Sequence, residues 1–275
     1  MFNLLRYELI SRWPALLGWG VGLALFGALY IGIYPQFGEQ MQALMDILDI
    51  PIYRAMGIDM GSFEGFMASS VIQFIPLTLA IYVVISSTDT LAGEEERGTL
   101  ELVVAMPLKR WEIVSMKAIA LIVISFFILI ITAVGDIVVF QWMQAQIEVD
   151  VTSTQLFVAI LDVWPITVAF LMIGMFLSTF MPTRRIASMT LTTIIIVSYF
   201  AEILAGIVNS LDFLKPWSLF SYFDSTANLF LVGVKTSDVM VLLGVSVVFF
   251  GLTLVTFEKR DITVGLWPWQ RAKMH

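Results

Sequence analysis

Glu94, Glu95, Glu96 and Arg97 are four consecutive charged side chains in a 275-residue chain that is poor in charge. Gly98 and Thr99 follow, then an apolar run that carries Glu101 and stops at Pro107, with Arg110 just beyond. Side chains of these types make ion pairs and charge-assisted hydrogen bonds, so their chemistry is docking rather than bond making. Read as one element, residues 94–105 form about three turns of helix ended by Pro107. Leu100, Val103 and Val104 then share a face toward the membrane, while Glu94, Glu95, Arg97 and Glu101 project into solvent. Such an element would be a rigid handle for a second chain. The plainer alternative is a solvated charged loop that only marks topology.

A second set of ionisable residues lies inside apolar runs. Asp136, Asp162 and Glu202 have no Lys or Arg within those runs to pair with. A charge at the bilayer centre costs about 2.5–3.5 kcal/mol on insertion scales and less near the edge. Counted from the run ends, all three fall roughly 6–10 Å below the same boundary. They are therefore protonated, hydrogen-bonded or facing water. Two readings stay open, structural hydrogen bonding and an acidic outer vestibule for cationic amphiphiles.

Other chemistries are excluded or weak. There is no cysteine, and His275, at the end of the chain, is the single histidine. Thiolate sites and a histidine base are ruled out. The pairs Met41/Met45 and Met56/Met60 read as flexible apolar filler, so no metal is expected. No G-x-x-x-x-G-K-[ST] loop is present, so the chain does not bind ATP in the usual way and no cofactor is expected on it. No serine or carboxylate pair stands in a catalytic pattern. The net charge of −7 argues against nucleic acid.

The elements that position these residues are membrane spans. Hydrophobic residues make up 59% of the chain and charged ones 13%, against about 25% charged in soluble domains; the mean hydropathy is +0.91. Uncharged or nearly uncharged runs at 14–34, 66–87, 118–140, 156–181, 187–208 and 238–257 predict an all-α protein with six transmembrane helices. Residues 1–13, with Phe2, Leu5, Leu9 and Trp13 on one stripe, predict an amphipathic interfacial helix. No cleavable leader is expected, because the first apolar run is long enough to span. Gly20, Ala24, Ala28 and Gly32 recur every four residues, which lets another helix approach closely, either within the chain or across a dimer seam. Pro76 predicts a kink. Residues 35–65 read as an acidic loop with a short helix, and 209–237 as an extracellular link with a hairpin dipping into the outer leaflet. Six spans put both ends on one side. That side carries Arg6, Arg12, Arg97, Lys109, Arg110, Lys117, Arg184, Arg185, Lys259, Arg260, Arg271 and Lys273, against Arg54, Lys215 and Lys235 on the other. Both termini and the coupling loop 88–117 are therefore expected in the cytoplasm.

The string GEEERGTLELVVAMPLKRWEIVSMK, residues 93–117, resembles the signature of type 2 ATP-binding-cassette (ABC) export permeases. The matching positions are Glu94, Glu96, Gly98, Thr99, Pro107 and Arg110, and FEKRDI at 257–262 resembles the family's usual ending of the sixth span. The resemblance runs over the whole chain in length, span count and loop order. It implies a permease that pairs with a separate ABC ATPase, docked on a cytoplasmic coupling helix after the second span. It further implies two ATPase copies, ATP and Mg bound on them, and a second permease subunit, either a copy or a paralogue. The expected role is export of a hydrophobic or amphiphilic cargo (drug, antibiotic, lipid or peptide) across a plasma membrane by alternating access. The competing expectations are an ATP-independent transporter or channel, and a membrane scaffold for assembly or signalling.

Overall fold

The computed structural model describes residues 2–48, 62–105 and 107–260. Every regular element among them is helical. Six helical segments are long and apolar enough to cross a membrane: Trp13–Gln36, Phe63–Glu96, Arg110–Gln144, Ser153–Phe180, Arg184–Ile207 and Thr236–Lys259. The predicted all-α, six-span class is borne out. The spans run longer than the apolar stretches because polar ends extend the helices past the apolar core. The helix of the first span is Trp13–Leu48 and carries Pro35 inside it, so residues 35–48 are helix and not the start of a loop. Residues 49–61, with Met56 and Met60, and residues 261–275, with Trp267 and Trp269, lie outside the described residues.

The fourth span is the centre. It is the most buried of the six and packs against the second, third, fifth and sixth. The first span lies outside this group, against the third. Their seam explains the row of small residues. A Cβ on Gly20 would stand 3.0 Å from Ile131, one on Gly135 would stand 2.6 Å from the Ala24 Cβ, and Gly32 abuts Val139. The row Gly20, Ala24, Gly32 is thus taken up inside the chain, and Ala28 beside it is half-buried. This corrects the dimer-seam reading. The small residues left uncovered on this span are Gly18 and Gly22, where a Cβ would meet nothing.

The second span is not one regular helix. An α turn Phe63–Met67 widens into a π turn Ala68–Ile72, and α geometry resumes at Phe74–Thr88. Gln73 N–H bonds the Ala68 carbonyl five residues back at 2.9 Å. Pro76 cannot donate to the Ile72 carbonyl, and the irregularity falls where that bond is missing.

Residues after the fifth span fold back into the bundle. Ser218 Oγ donates to the Ser198 carbonyl at 2.7 Å, and Leu219 N–H donates to Ser198 Oγ at 2.8 Å. Ser198 lies nine residues before the end of the helix at Ile207, about 14 Å along its axis. Phe220 follows, buried between Phe170 and Tyr199. Irregular backbone at this depth is tolerated because protein, not lipid, surrounds it.

The first–third seam makes a sharp prediction. Gly135→Ala drives its new methyl into a backbone-fixed Cβ, so we expect a loss of about 1–3 kcal/mol, read as a lower thermal midpoint in detergent. Gly22→Ala, in open space, should leave the midpoint unchanged or raise it.

Candidate functional site

The site forms where the second span ends. In an α-helix the Ala92 N–H would bond the Thr88 carbonyl. Here the hydroxyl of Ser178, from the fourth span, stands between them. It accepts from Ala92 N–H at 2.8 Å and donates to the Thr88 carbonyl at 3.1 Å. The helix opens into a π turn over Asp89–Gly93 at this point. A side chain inserted into the backbone ladder is a known cause of such a break. Gly174, one turn before Ser178, allows the approach, since a Cβ there would overlap Ser87 Oγ.

One α turn, Glu94–Glu96, follows, and then the helix stops. Gly98 has φ +69°, Gly98 N–H bonds the Glu95 carbonyl at 3.0 Å, and Thr99 N–H bonds the Glu94 carbonyl at 2.9 Å. This pair of bonds with a left-handed glycine is a Schellman cap. The expected three-turn helix over 94–105 is therefore corrected to a capped helix end and a separate five-residue helix, Leu100–Val104. Leu100 is buried, and the side chain of Glu101 lies outside the described residues.

Three carboxylates at the C-terminal end of a helix oppose its dipole, and each finds a donor on a different element. Glu94 takes Lys117 of the third span at 2.5 Å. Lys117 is fully buried and also binds Glu8 of the N-terminal helix at 2.5 Å, and Glu8 holds Arg12 at 3.1 Å. Glu95 pairs with Arg260, at the end of the sixth span, at 2.7 Å. Burial pulls the Arg260 guanidinium below the ordinary arginine value, and the Glu95 carboxylate opposes that. Glu96 accepts the backbone N–H of Arg184, at the start of the fifth span, at 2.8 Å. Arg97 turns back on Asp89 with two bonds of 2.7 and 3.1 Å, and Arg184 reaches the same carboxylate at 3.0 Å.

Arginines also close two open helix ends. Arg110 Nη1 donates to the carbonyls of Phe257, Glu258 and Arg260. Arg260 Nη1 donates to those of Ser178 and Thr179. This end of the bundle is one connected polar lattice joining the N-terminal helix with the second to sixth spans.

The outward projection expected of Glu94 and Glu95 is thus corrected, because their carboxylates are engaged within the chain, as is Arg110; Arg97 stays exposed and folds along the surface onto Asp89. What remains exposed around them is Glu96, Arg97, Gly98, Thr99, Leu102, Ala105, Pro107, Lys109 and Trp111, with Leu102 at 71% exposure. Sequence reading missed Glu8, Ser178 and Arg184 as partners. The i, i+4 pair Gly174/Ser178 and the acid–base pair Glu8/Arg12 were their available signals.

The three intramembrane acids do not form one site. Asp136 is 0% exposed, has no hydrogen-bond partner on either oxygen, and abuts Gly27 of the first span. It belongs to the first–third seam and not to a vestibule. Glu202 lines a cavity of about 300 Å³ at the opposite end of the bundle, with Asp224, Lys235, Asp238 and the ring of Tyr199. Ser221 Oγ donates to Glu202, and Lys235 pairs with Asp224 at 3.3 Å. Asp162 sits at the break between Ser153–Leu161 and Val163–Phe180, within electrostatic reach of Asp224 and Asp238. No group of three His, Cys, Asp or Glu able to hold a metal occurs among the described residues.

Lys117→Met leaves Glu94 without its cation and Glu8 with Arg12 alone. The expected cost is about 3–5 kcal/mol, measured as lost thermal stability of the purified protein. Adding Glu94→Gln to Lys117→Met, which keeps the Glu8–Arg12 pair, should recover most of it.

Compared with known proteins, residues 2–262 match a family model described as ABC-2 family transporter protein. None of the curated proteins matches the chain.

Proposed function

The chain belongs to the ABC-2 transporter family, whose members are membrane-embedded transport subunits that normally pair with an ABC ATPase, and on that premise we propose that it is the permease half of an ATP-driven exporter. The observation that carries this reading is the lattice at the end of the second span. A segment exposed at Gly98, Thr99, Leu102 and Pro107 is tied through Glu94, Glu95 and Glu96 to the third, sixth and fifth spans. A push on that segment is delivered to the bundle as a whole. The short helix Leu100–Val104, with Leu102 outward, is the coupling contact for the ATPase, and the acids are the linkage behind it.

The excess of Lys and Arg at this end supports a cytoplasmic location for it and for both termini, in our reading at a plasma membrane. ATP and Mg are bound on two ATPase copies, whose closure moves two permeases between inward- and outward-open states. That movement requires ATP to bind the two states with different affinity. A second permease subunit, a copy or a paralogue, is accommodated by the open groove of about 510 Å³ at Gly18 and Gly22, between the first and second spans. The cargo is hydrophobic or amphiphilic, in keeping with the apolar span surfaces. The cavity at Glu202, with Asp162 near, suits the cationic end of such a molecule on the release side.

Leu102→Asp puts a charge into the contact without touching the lattice. The expected result is loss of ATPase co-purification by about thirtyfold in affinity, the scale of one interface hot spot, with unchanged permease stability. Full retention of the ATPase together with unaltered ATP-dependent transport would remove this segment from coupling.

A further inference from the structure

The N-terminal helix Phe2–Ser11 is held to the third span along one edge only. Leu4 is buried with Ile113 and Met116, and Glu8 is bound to Lys117. Of the expected stripe, Leu5 and Leu9 lie half-buried beside this edge, Leu5 against the Leu4 cluster and Leu9 against the main core, while Trp13 is exposed. Beside this edge an apolar cavity of about 950 Å³ opens between the helix and the third span. Leu9 and Trp13 form one wall, and Val123, Phe127 and Ile131 form the other. Those three residues recur every four positions, so they make a strip about 12 Å long down one face of the third span. Trp13 is 57% exposed and Phe127 48%.

The mouth of the cavity is cationic. Arg6 and Asn3 line it, and Arg6 is exposed. Arg12, one and a half turns on, is neutralised by Glu8. Arg6 makes no ion pair among the described residues. An exposed guanidinium and a tryptophan on the lining of one apolar slot, where the chain enters the first span, match one kind of molecule. That molecule carries a phosphate at one end and an acyl chain along its length. A peptide helix would need polar partners for its termini along the strip, and the strip offers none.

We propose that this cavity binds an anionic glycerophospholipid of the adjoining leaflet. Its phosphate rests on Arg6 and one acyl chain lies along Val123, Phe127 and Ile131. The lipid completes the contact between the N-terminal helix and the third span in the cavity that the protein leaves open. The site is independent of the transport reading above, for it requires only that the chain be embedded in a bilayer.

The test is native mass spectrometry of the full-length protein released from nanodiscs of equal parts phosphatidylglycerol and phosphatidylcholine. The wild-type protein should retain phosphatidylglycerol in preference to phosphatidylcholine. Arg6→Gln, at an exposed position, should lower phosphatidylglycerol retention about fivefold, the effect of one surface arginine on an anionic lipid, and leave phosphatidylcholine unchanged. Val123→Trp, which fills the slot, should lower retention of both, with the thermal midpoint unchanged. Equal retention of the two lipids by the wild-type protein overturns the proposal. So does phosphatidylglycerol retention in Arg6→Gln or Val123→Trp equal to that of the wild type.

Discussion

Carboxylates crowded into the last turn of a helix face a partial negative charge from the backbone and a second penalty from one another. Glu94, Glu95 and Glu96 are held in such a turn only because Lys117, Arg260 and the N-terminus of the fifth span come to meet them. That requirement organises this end of the molecule. It calls three spans to one point, and through Lys117 and Glu8 it calls in the N-terminal helix as well. The exposed pair Arg97–Asp89 adds little by itself, since such pairs contribute at most about 1 kcal/mol. The buried pairs differ: with the cation taken away, the acids become uncompensated charges.

The fourth span supplies the frame on which this assembly rests. Gly174 lets the second span close in, Ser178 opens that span's backbone ladder, and the carbonyls of Ser178 and Thr179 receive Arg260. Three dependencies thus start from six consecutive positions of one helix. Arg110 in turn binds the last carbonyls of the sixth span. The ends of the second, fourth and sixth spans and the start of the third are therefore fixed relative to each other by charge and hydrogen bonding, outside the apolar core.

Six spans were legible because length and hydropathy alone decide what crosses a bilayer. The position of the polar segment between the second and third spans was legible too, from the charged run between two apolar ones. Its internal shape was not. Gly98 after an acidic turn is a helix-stop signal, yet the periodic apolar residues beyond it argue for continuation, and the left-handed cap prevailed. Charge in a sequence also carries no direction. Glu94 and Glu95 read as outward because solvent is the usual place for carboxylates, and only the positions of Lys117 and Arg260 turn them in. Asp136 shows the same blindness, since its depth was countable but its facing was not.

The hydroxyl of Ser178 takes the place of a single backbone bond, between Ala92 and Thr88. A helix that closes that bond loses the surplus residue of its wide turn, and everything beyond rotates by about 100° about the axis. The azimuth of the glutamate run is thus set by one foreign oxygen lodged upstream. The width of that one turn therefore decides which neighbours the three acids meet.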